Sequence, residues 1–90
     1  MEINATWRPY KGPADTPRSS LPDSSFAFPA ERAEPLTDAA QVRSAIARFS
    51  QVHNVSDSER DVAFGNIKAA ADYYGVSVRA TNWHDIGHGT

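Results

Sequence analysis

Two histidines near the end of the chain, His84 and His88, have a spacing that suits metal binding. Side chains four residues apart share one face of a helix, which is how paired zinc-binding histidines are often arranged. Gly87 lies between them and breaks such a helix, and Asp85 is the one nearby side chain that could act as a third ligand. The sequence contains no cysteine, which excludes the commonest zinc sites, thiolate nucleophiles and disulfides. We therefore expect no bound metal and no cofactor.

The acidic residues Asp57, Glu59 and Asp61 form the densest group of carboxylates in the chain. They stand where a helix is expected to begin, and acidic side chains are favoured there by the helix dipole. No serine and histidine have a spacing typical of nucleophilic catalysis, and no glycine-rich phosphate loop is present. His53 is expected to be a half-buried capping or packing residue. A chain of 90 residues also rarely encloses a water-excluding pocket, so we expect no enzyme.

The charge balance gives little support to nucleic-acid binding. Nine basic and eleven acidic side chains leave a net charge of −2. Five basic residues lie on the predicted helices or near them, and each is expected to be a solvated surface charge: Arg43, Arg48, Arg60, Lys68 and Arg79. Arg43 and Arg48 lie well apart around the first helix, so they do not form the basic stripe that is typical of nucleic-acid binding. A helical protein associated with nucleic acid remains the alternative function. In that case affinity for duplex DNA would fall steeply with salt.

The composition is that of one small globular domain. Hydrophobic residues make up 40% of the chain and charged residues 22%. The sequence has no run of about 18 apolar residues, the length needed to span a membrane, and no signal peptide is evident. We expect a monomeric cytoplasmic protein without membrane contact.

Residues 1–20 have the composition of a disordered tail. Pro9, Pro13 and Pro17 interrupt both helix and strand, and few apolar residues accompany them. Trp7 and Tyr10 could instead form a short adhesive patch. The predicted domain extends over residues 21–86, and residues 87–90 are expected to fray.

An extended aromatic arm is expected next. Phe26 and Phe28 alternate with a small residue, so both rings can point the same way from an extended segment. Pro29 and Pro35 exclude a central strand. The two phenylalanines are interpreted as packing anchors, with a ligand-facing aromatic pair as the other interpretation.

Periodicity predicts two helices. The first begins at Thr37 or Asp38 and ends at residues 53–54, where Asn54 tolerates a left-handed conformation. Its apolar stripe consists of Val42, Ala45, Ile46, Phe49 and Val52.

The second helix begins with a capping box of Ser56 and Glu59 and ends at Gly75. One apolar stripe contains Ala63, Ile67, Ala70, Ala71 and Tyr74. A second line on another side contains Val62, Ala69 and Tyr73, so this helix needs two neighbours. Gly65 is expected on the solvent side, where Gly65→Ala would stabilise the helix.

The expected fold is therefore mainly α. An antiparallel two-helix hairpin is covered by the extended aromatic arm and by a short C-terminal turn that contains Trp83 and Ile86. With an enzyme and a nucleic-acid-binding protein disfavoured, an interaction module remains, because a small helical hairpin with a detachable aromatic arm can present a groove to a partner helix or peptide. We therefore predict a non-enzymatic protein-interaction or adaptor module with an unknown protein partner. Its candidate partner-binding residues are Phe26, Phe28, Val62, Tyr73 and Trp83.

Four motifs in fixed order resemble a small uncharacterised bacterial domain that also occurs at the ends of some phage-related proteins. These motifs are LPDSSFAFP, EPLTDAAQVRSAIARFSQV, VSDSERD and IKAAADYYGVSV. The similarity covers residues 21–83. It implies no catalytic residues, and the phage association implies a role in assembled particles or their processing. The family tends to have glycine in place of Asn54, and basic residues in place of Gly65 and Asn66.

Overall fold

The computed structural model describes residues 5–13 and 15–78, which form two helices and a small sheet. Strands β1 (Phe26–Phe28) and β2 (Ala33–Pro35) come first in the chain. Helices α1 (Ala39–Arg48) and α2 (Asp57–Tyr74) follow them. Single turns of 3-10 helix occur at Arg18–Ser20, Asp23–Ser25 and Phe49–Gln51.

The sheet shows that the predicted mainly α two-helix hairpin is wrong. β1 and β2 pair in antiparallel register, with Phe26 opposite Pro35 and Phe28 opposite Ala33, so the fold is a small α/β arrangement. Pro29 and Pro35 do exclude a central strand. A two-stranded sheet, however, consists of edges alone, and proline is tolerated at an edge or in the turn beside it. The arm is therefore one strand of a β-hairpin rather than an isolated extended segment.

Arg32, which closes the turn of this hairpin with a φ of 51°, attaches the preceding segment to it. Its guanidinium donates to the carbonyl oxygens of Arg18 (3.0 Å) and Leu21 (2.8 Å) and forms an ion pair with Asp23 at 2.6 Å. The same group lies 4.7 Å from the centre of the Phe26 ring, and the Arg18 guanidinium lies 5.7 Å from it. Phe26 is thus covered by two cationic side chains.

The other residues of β1 belong to the main core. All three residues of the strand are buried, and β1 packs against α2, as expected of the aromatic arm. The Phe28 ring lies 5.6 Å from that of Phe49, in the turn that follows α1. Leu36, Val42 and Ile67 complete the centre of this core. The hairpin and both helices therefore share one apolar core.

Helix α1 begins as predicted and ends earlier. Asp38 is the N-cap, and its carboxylate accepts from the Gln41 amide at 2.8 Å. The α-helical bonds stop at Arg48, and a 3-10 turn continues the chain to residue 51. Asn54 has the left-handed conformation that the sequence predicts, with a φ of 63°. His53 is exposed, so its expected half-buried role is wrong.

Helix α2 has the predicted ends. The Ser56 hydroxyl accepts from the Glu59 amide at 3.1 Å, and the Glu59 carboxylate accepts from the Ser56 amide at 2.8 Å. Gly75 ends the helix with a φ of 75°, and the Val76 amide donates to the carbonyl of Ala71 at 2.8 Å. These bonds satisfy backbone groups that a helix terminus would otherwise leave unpaired.

The predicted solvent side of α2 is wrong at Gly65. Gly65 and Asn66 are both buried, together with the apolar stripe of this helix. The predicted stabilisation by Gly65→Ala assumed an exposed position, which the structure does not provide. The helix is enclosed over more of its circumference because a third segment, near Trp7, also packs on it.

The N-terminal segment reaches the core through Trp7, which is only 8% exposed. The Arg8 amide also donates to the carbonyl of Ser24 at 3.0 Å. These contacts lie upstream of the predicted domain boundary at residue 20. The disorder of residues 1–20 in solution stays a prediction, and the position of Trp7 provides a specific place to test it.

Several sequence predictions concern residues outside the described ranges. They include the final turn with Trp83 and Ile86, the histidines at 84 and 88, Arg79 and the fraying of residues 87–90. Among residues 5–13 and 15–78, no three acidic or histidine side chains are placed to hold a metal ion. Neither helix in these ranges is long and apolar enough to cross a membrane.

Candidate functional site

Three aromatic rings meet at the C-terminal end of α2. Tyr73 and Tyr74 approach edge to face, with ring centres 4.9 Å apart. Trp7 lies 5.8 Å from Tyr73 and 5.9 Å from Tyr74, again in edge-to-face geometry. Tyr73 is 56% exposed, the one large hydrophobic residue with such exposure among the residues described. The cluster therefore holds an exposed ring on a buried support.

Asn66 holds Trp7 in this cluster. Its side-chain oxygen accepts from the backbone amides of Thr6 at 2.7 Å and Trp7 at 2.8 Å. Its side-chain nitrogen donates to the carbonyl of Ala27 in β1 at 2.9 Å. The Trp7 indole nitrogen donates to the carbonyl of Leu36 at 2.9 Å. A buried amide with both ends satisfied thus joins the N-terminal segment, the hairpin and α2.

A cleft of about 340 Å³ opens beside these tyrosines. It lies between residues 10–13 and 16–21, the start of α1 and the end of α2. Its aromatic lining is Tyr10, Tyr73 and Tyr74, and the charged side chains that line it are Arg18 and Asp38. The cleft therefore offers aromatic faces together with one cation and one anion.

Tyr10 is held at this cleft by local contacts. Its hydroxyl is 2.9 Å from that of Thr16, which itself donates to the carbonyl of Pro13 at 2.6 Å. Gly12 lies against the Tyr10 ring so closely that a Cβ would overlap the hydroxyl end of the ring. A residue larger than glycine would therefore displace this wall of the cleft.

Burial raises the pKa of the Tyr74 hydroxyl above its ordinary value, and the nearby Tyr73 and Asp38 contribute in the same direction. The hydroxyl thus stays protonated at neutral pH and remains able to donate a hydrogen bond. With Thr37 and Gln41 also lining the cleft, donors and acceptors surround its aromatic faces. Such an arrangement can bind a ligand by stacking and hydrogen bonding.

The structure separates the candidate partner-binding residues. Phe26 and Phe28 are 0% and 1% exposed, which places both rings in the interior rather than on a surface. Val62 is half-buried and lines, with Phe28, an apolar pocket at the other end of α2. Tyr73 lines the aromatic cleft, and Trp83 lies outside the described residues. Phe28 and Val62 are therefore brought together, and Tyr73 stands apart from them.

Sequence reasoning missed the roles of Trp7, which packs against the two tyrosines of the cleft, and of Asn66, which holds Trp7 in place. Trp7 was noticed as part of a possible adhesive patch with Tyr10, and both residues do contribute to this end of the molecule. No local pattern marks Asn66, since its partners are 39 to 60 positions away in the chain.

Several basic side chains on or beside the helices have contacts of their own within the described part of the chain. Arg60 donates to the carbonyls of Val55 at 3.1 Å and Val52 at 3.5 Å and so braces the connection between the helices. Lys68 lies 5.6 Å from the centre of the Phe64 ring. Arg43 and Arg48 are exposed on α1.

A family model for a family of unknown function, DUF6582, matches residues 8–81. The chain belongs to this family. The match extends upstream of the resemblance noted at residues 21–83, so the DUF6582 domain includes all the residues that line the aromatic cleft. No curated protein and no solved structure matches the chain.

Proposed function

We propose that this DUF6582 domain is a non-enzymatic protein-interaction module that binds an extended segment of a partner protein in the aromatic cleft. The observation that carries the proposal is Tyr73, a ring 56% exposed and supported by Trp7 and Tyr74. Tyrosine and tryptophan are enriched at the energetic centres of protein interfaces. A ring already fixed by its neighbours loses little conformational entropy when a partner packs on it.

The surroundings of Tyr73 favour an extended peptide as the ligand. Aromatic-lined grooves bind extended, proline-containing segments because such segments have little conformational entropy to lose. Thr37, Gln41 and the Tyr74 hydroxyl supply hydrogen-bonding groups for a peptide backbone. Arg18 and Asp38, which have opposite charges, are both among the residues that line the cleft, and such a pair would orient the bound segment.

The remaining parts of the proposal concern cellular context. We place the domain in the cytoplasm as a monomer without a membrane or nucleic-acid partner. The resemblance to domains at the ends of phage-related proteins suggests a role within assembled particles or their processing. A salt titration with duplex DNA tests the nucleic-acid alternative, and we expect no measurable binding at physiological salt.

A displayed library of random peptides tests the cleft directly. We expect enriched peptides to contain proline and to shift the NMR signals of Tyr10, Tyr73 and Tyr74. Calorimetry should then show at least a tenfold loss of affinity in Tyr73→Ala, as is typical of a central interface residue. Asp72→Ala is the matched control, because Asp72 is the exposed neighbour on the same helix and does not line the cleft.

The control variant should bind as tightly as the parent protein. Enriched peptides that bind Tyr73→Ala and the parent equally would contradict the proposed site. A library that yields no peptide binding at the cleft would contradict peptide recognition there.

A further inference from the structure

An apolar pocket of about 240 Å³ lies at the opposite end of α2 from the aromatic cleft. Phe28, Pro29 and Ala30 of the hairpin line one side, and Val62 of α2 lines the other. Glu59 and Tyr73 are 14 positions apart, which is about 21 Å along a helix. This pocket and the cleft are therefore separate sites.

Two glutamates border the pocket, Glu31 from the hairpin turn and Glu59 from the first turn of α2. The lining surface is almost wholly apolar. The glutamates therefore contribute mainly aliphatic carbons to the wall, and their carboxyls lie at its edge. An apolar pocket with carboxyls at the edge complements a side chain that has an aliphatic stem and a cationic head.

The two carboxyl groups change each other's pKa. Hydrogen bonding with Glu59 raises the pKa of Glu31, with smaller contributions from burial and from the negative charge of Glu59. It lowers the pKa of Glu59, which the Ser56 amide and hydroxyl and the charge of Arg60 lower further. The ionisation of each carboxyl therefore depends on the other, as expected of two neighbouring carboxyls.

The neighbouring cation, Arg60, lowers the pKa of Glu59 and also contacts other groups. It donates to the backbone carbonyls of Val55 and Val52 and lies 3.5 Å from the carboxylate of Asp57. Glu59 also uses one oxygen in the capping box at the start of α2, so the positive end of the helix dipole already has an anionic partner. A cation from outside the chain would complement the negative charge of the Glu31–Glu59 pair.

We propose that this pocket binds an arginine side chain of a partner protein, with the aliphatic stem against Phe28 and Val62 and the guanidinium between Glu31 and Glu59. The planar guanidinium presents donors in a fork that can serve two carboxylates at once. Binding would place a permanent cation against these two carboxyls. The site is independent of the proposed peptide cleft.

The test uses N-acetyl-arginine methylamide, with its citrulline counterpart as an uncharged probe of similar shape. NMR titration should move the signals of Ala30, Glu31, Glu59 and Val62 with the arginine probe. We expect the citrulline probe to bind at least about tenfold more weakly, because it lacks the charge-assisted hydrogen bonds. Raising the salt concentration should weaken the binding of the arginine probe and leave the binding of the citrulline probe unchanged.

Glu31→Gln and Glu59→Gln are the informative variants. Glutamine at position 59 still accepts from the Ser56 amide, so the capping box and the fold are retained. Each variant should lose about tenfold or more in affinity, and Asp61→Asn, an exposed charge change on the same helix, should lose none. Equal binding of the two probes, unchanged binding in both glutamine variants, or no shift at the pocket would overturn the proposal.

Discussion

Replacing Asn66 tests whether the junction between the N-terminal segment, the hairpin and α2 stabilises the fold. Its side chain makes three short hydrogen bonds, of 2.7 Å to the Thr6 amide, 2.8 Å to the Trp7 amide and 2.9 Å to the Ala27 carbonyl. Asn66→Ala removes all three and leaves their backbone groups without this partner. Each lost bond costs about 0.5–1.5 kcal/mol, and a buried group left unpaired costs about 1–3 kcal/mol. We expect the free energy of unfolding to fall by about 3–4 kcal/mol.

Urea unfolding followed by far-ultraviolet circular dichroism measures this loss from the helices themselves. Trp7→Phe provides the companion variant, because it keeps a ring and removes the indole bond to Leu36. If both residues act by docking the same segment, the double variant should lose less than the sum of the single losses, with a coupling of at least about 0.5 kcal/mol. The Trp7 amide should also exchange slowly in the parent protein.

Two results would refute this reasoning. The first is an Asn66→Ala protein within about 0.5 kcal/mol of the parent, which is the usual effect of a surface substitution. The second is fast exchange of the Trp7 amide in the parent, which would instead support the predicted disorder of residues 1–20. Additive losses in the double variant would show that Asn66 and Trp7 stabilise the fold separately.

Three further outcomes are expected. The double change Phe26→Ala with Phe28→Ala should unfold the domain, because truncating each buried phenylalanine costs about 3–5 kcal/mol. A double variant that is still folded by circular dichroism would show that the hairpin is not part of the core. Gly75→Ala should lower the free energy of unfolding by about 1–2 kcal/mol, because its φ of 75° is strained for alanine. A Cβ at this position meets no atom within 4 Å, so no steric clash adds to this cost, and an unchanged Tm would contradict the prediction. Because folding raises the pKa of Glu31, this residue stabilises the folded state below pH 4.5, the ordinary pKa of glutamate. This contribution is lost as the pH rises through the pKa of Glu31 in the folded state. Folding lowers the pKa of Glu59, so this residue stabilises the folded state above pH 4.5. That contribution is lost as the pH falls through the pKa of Glu59 in the folded state. Glu31→Gln should therefore gain stability relative to the parent as pH rises from about 4.5 to neutral, and a difference that does not vary with pH would contradict the carboxyl pairing.

The helix ends were predictable because their signals are local. Asp38, the pair Ser56 and Glu59, and Gly75 each satisfy or terminate backbone bonds within a few positions of themselves. The apolar stripes were predictable for the same reason, since a helix places residues three and four apart on one face. These features need no knowledge of the rest of the chain.

The hairpin and the cleft depend on contacts that local patterns do not reveal. The prolines exclude a central strand, as predicted, but no local pattern indicates that the aromatic arm pairs with residues 33–35. The charged neighbours of Gly65 on α2 predict a solvent-exposed position, but Gly65 is buried, and its neighbour Asn66 bonds to a segment more than fifty positions upstream. Tyr73 was recognised as a candidate residue. Its cleft was not, because three separate segments form the walls.

The bond between Trp7 and Asn66 spans 59 positions and has a consequence for the order of folding. Closing a loop of that length costs entropy that grows with the logarithm of its length, whereas the contacts within and between neighbouring helices need only short loops. We expect the helices to associate first and the N-terminal segment to dock late. During synthesis, Trp7 leaves the ribosome long before Asn66. The Trp7 amide therefore lacks this hydrogen-bond partner until Asn66 has also left the ribosome. Until then its indole ring is an exposed apolar group on a nascent chain, available to a chaperone.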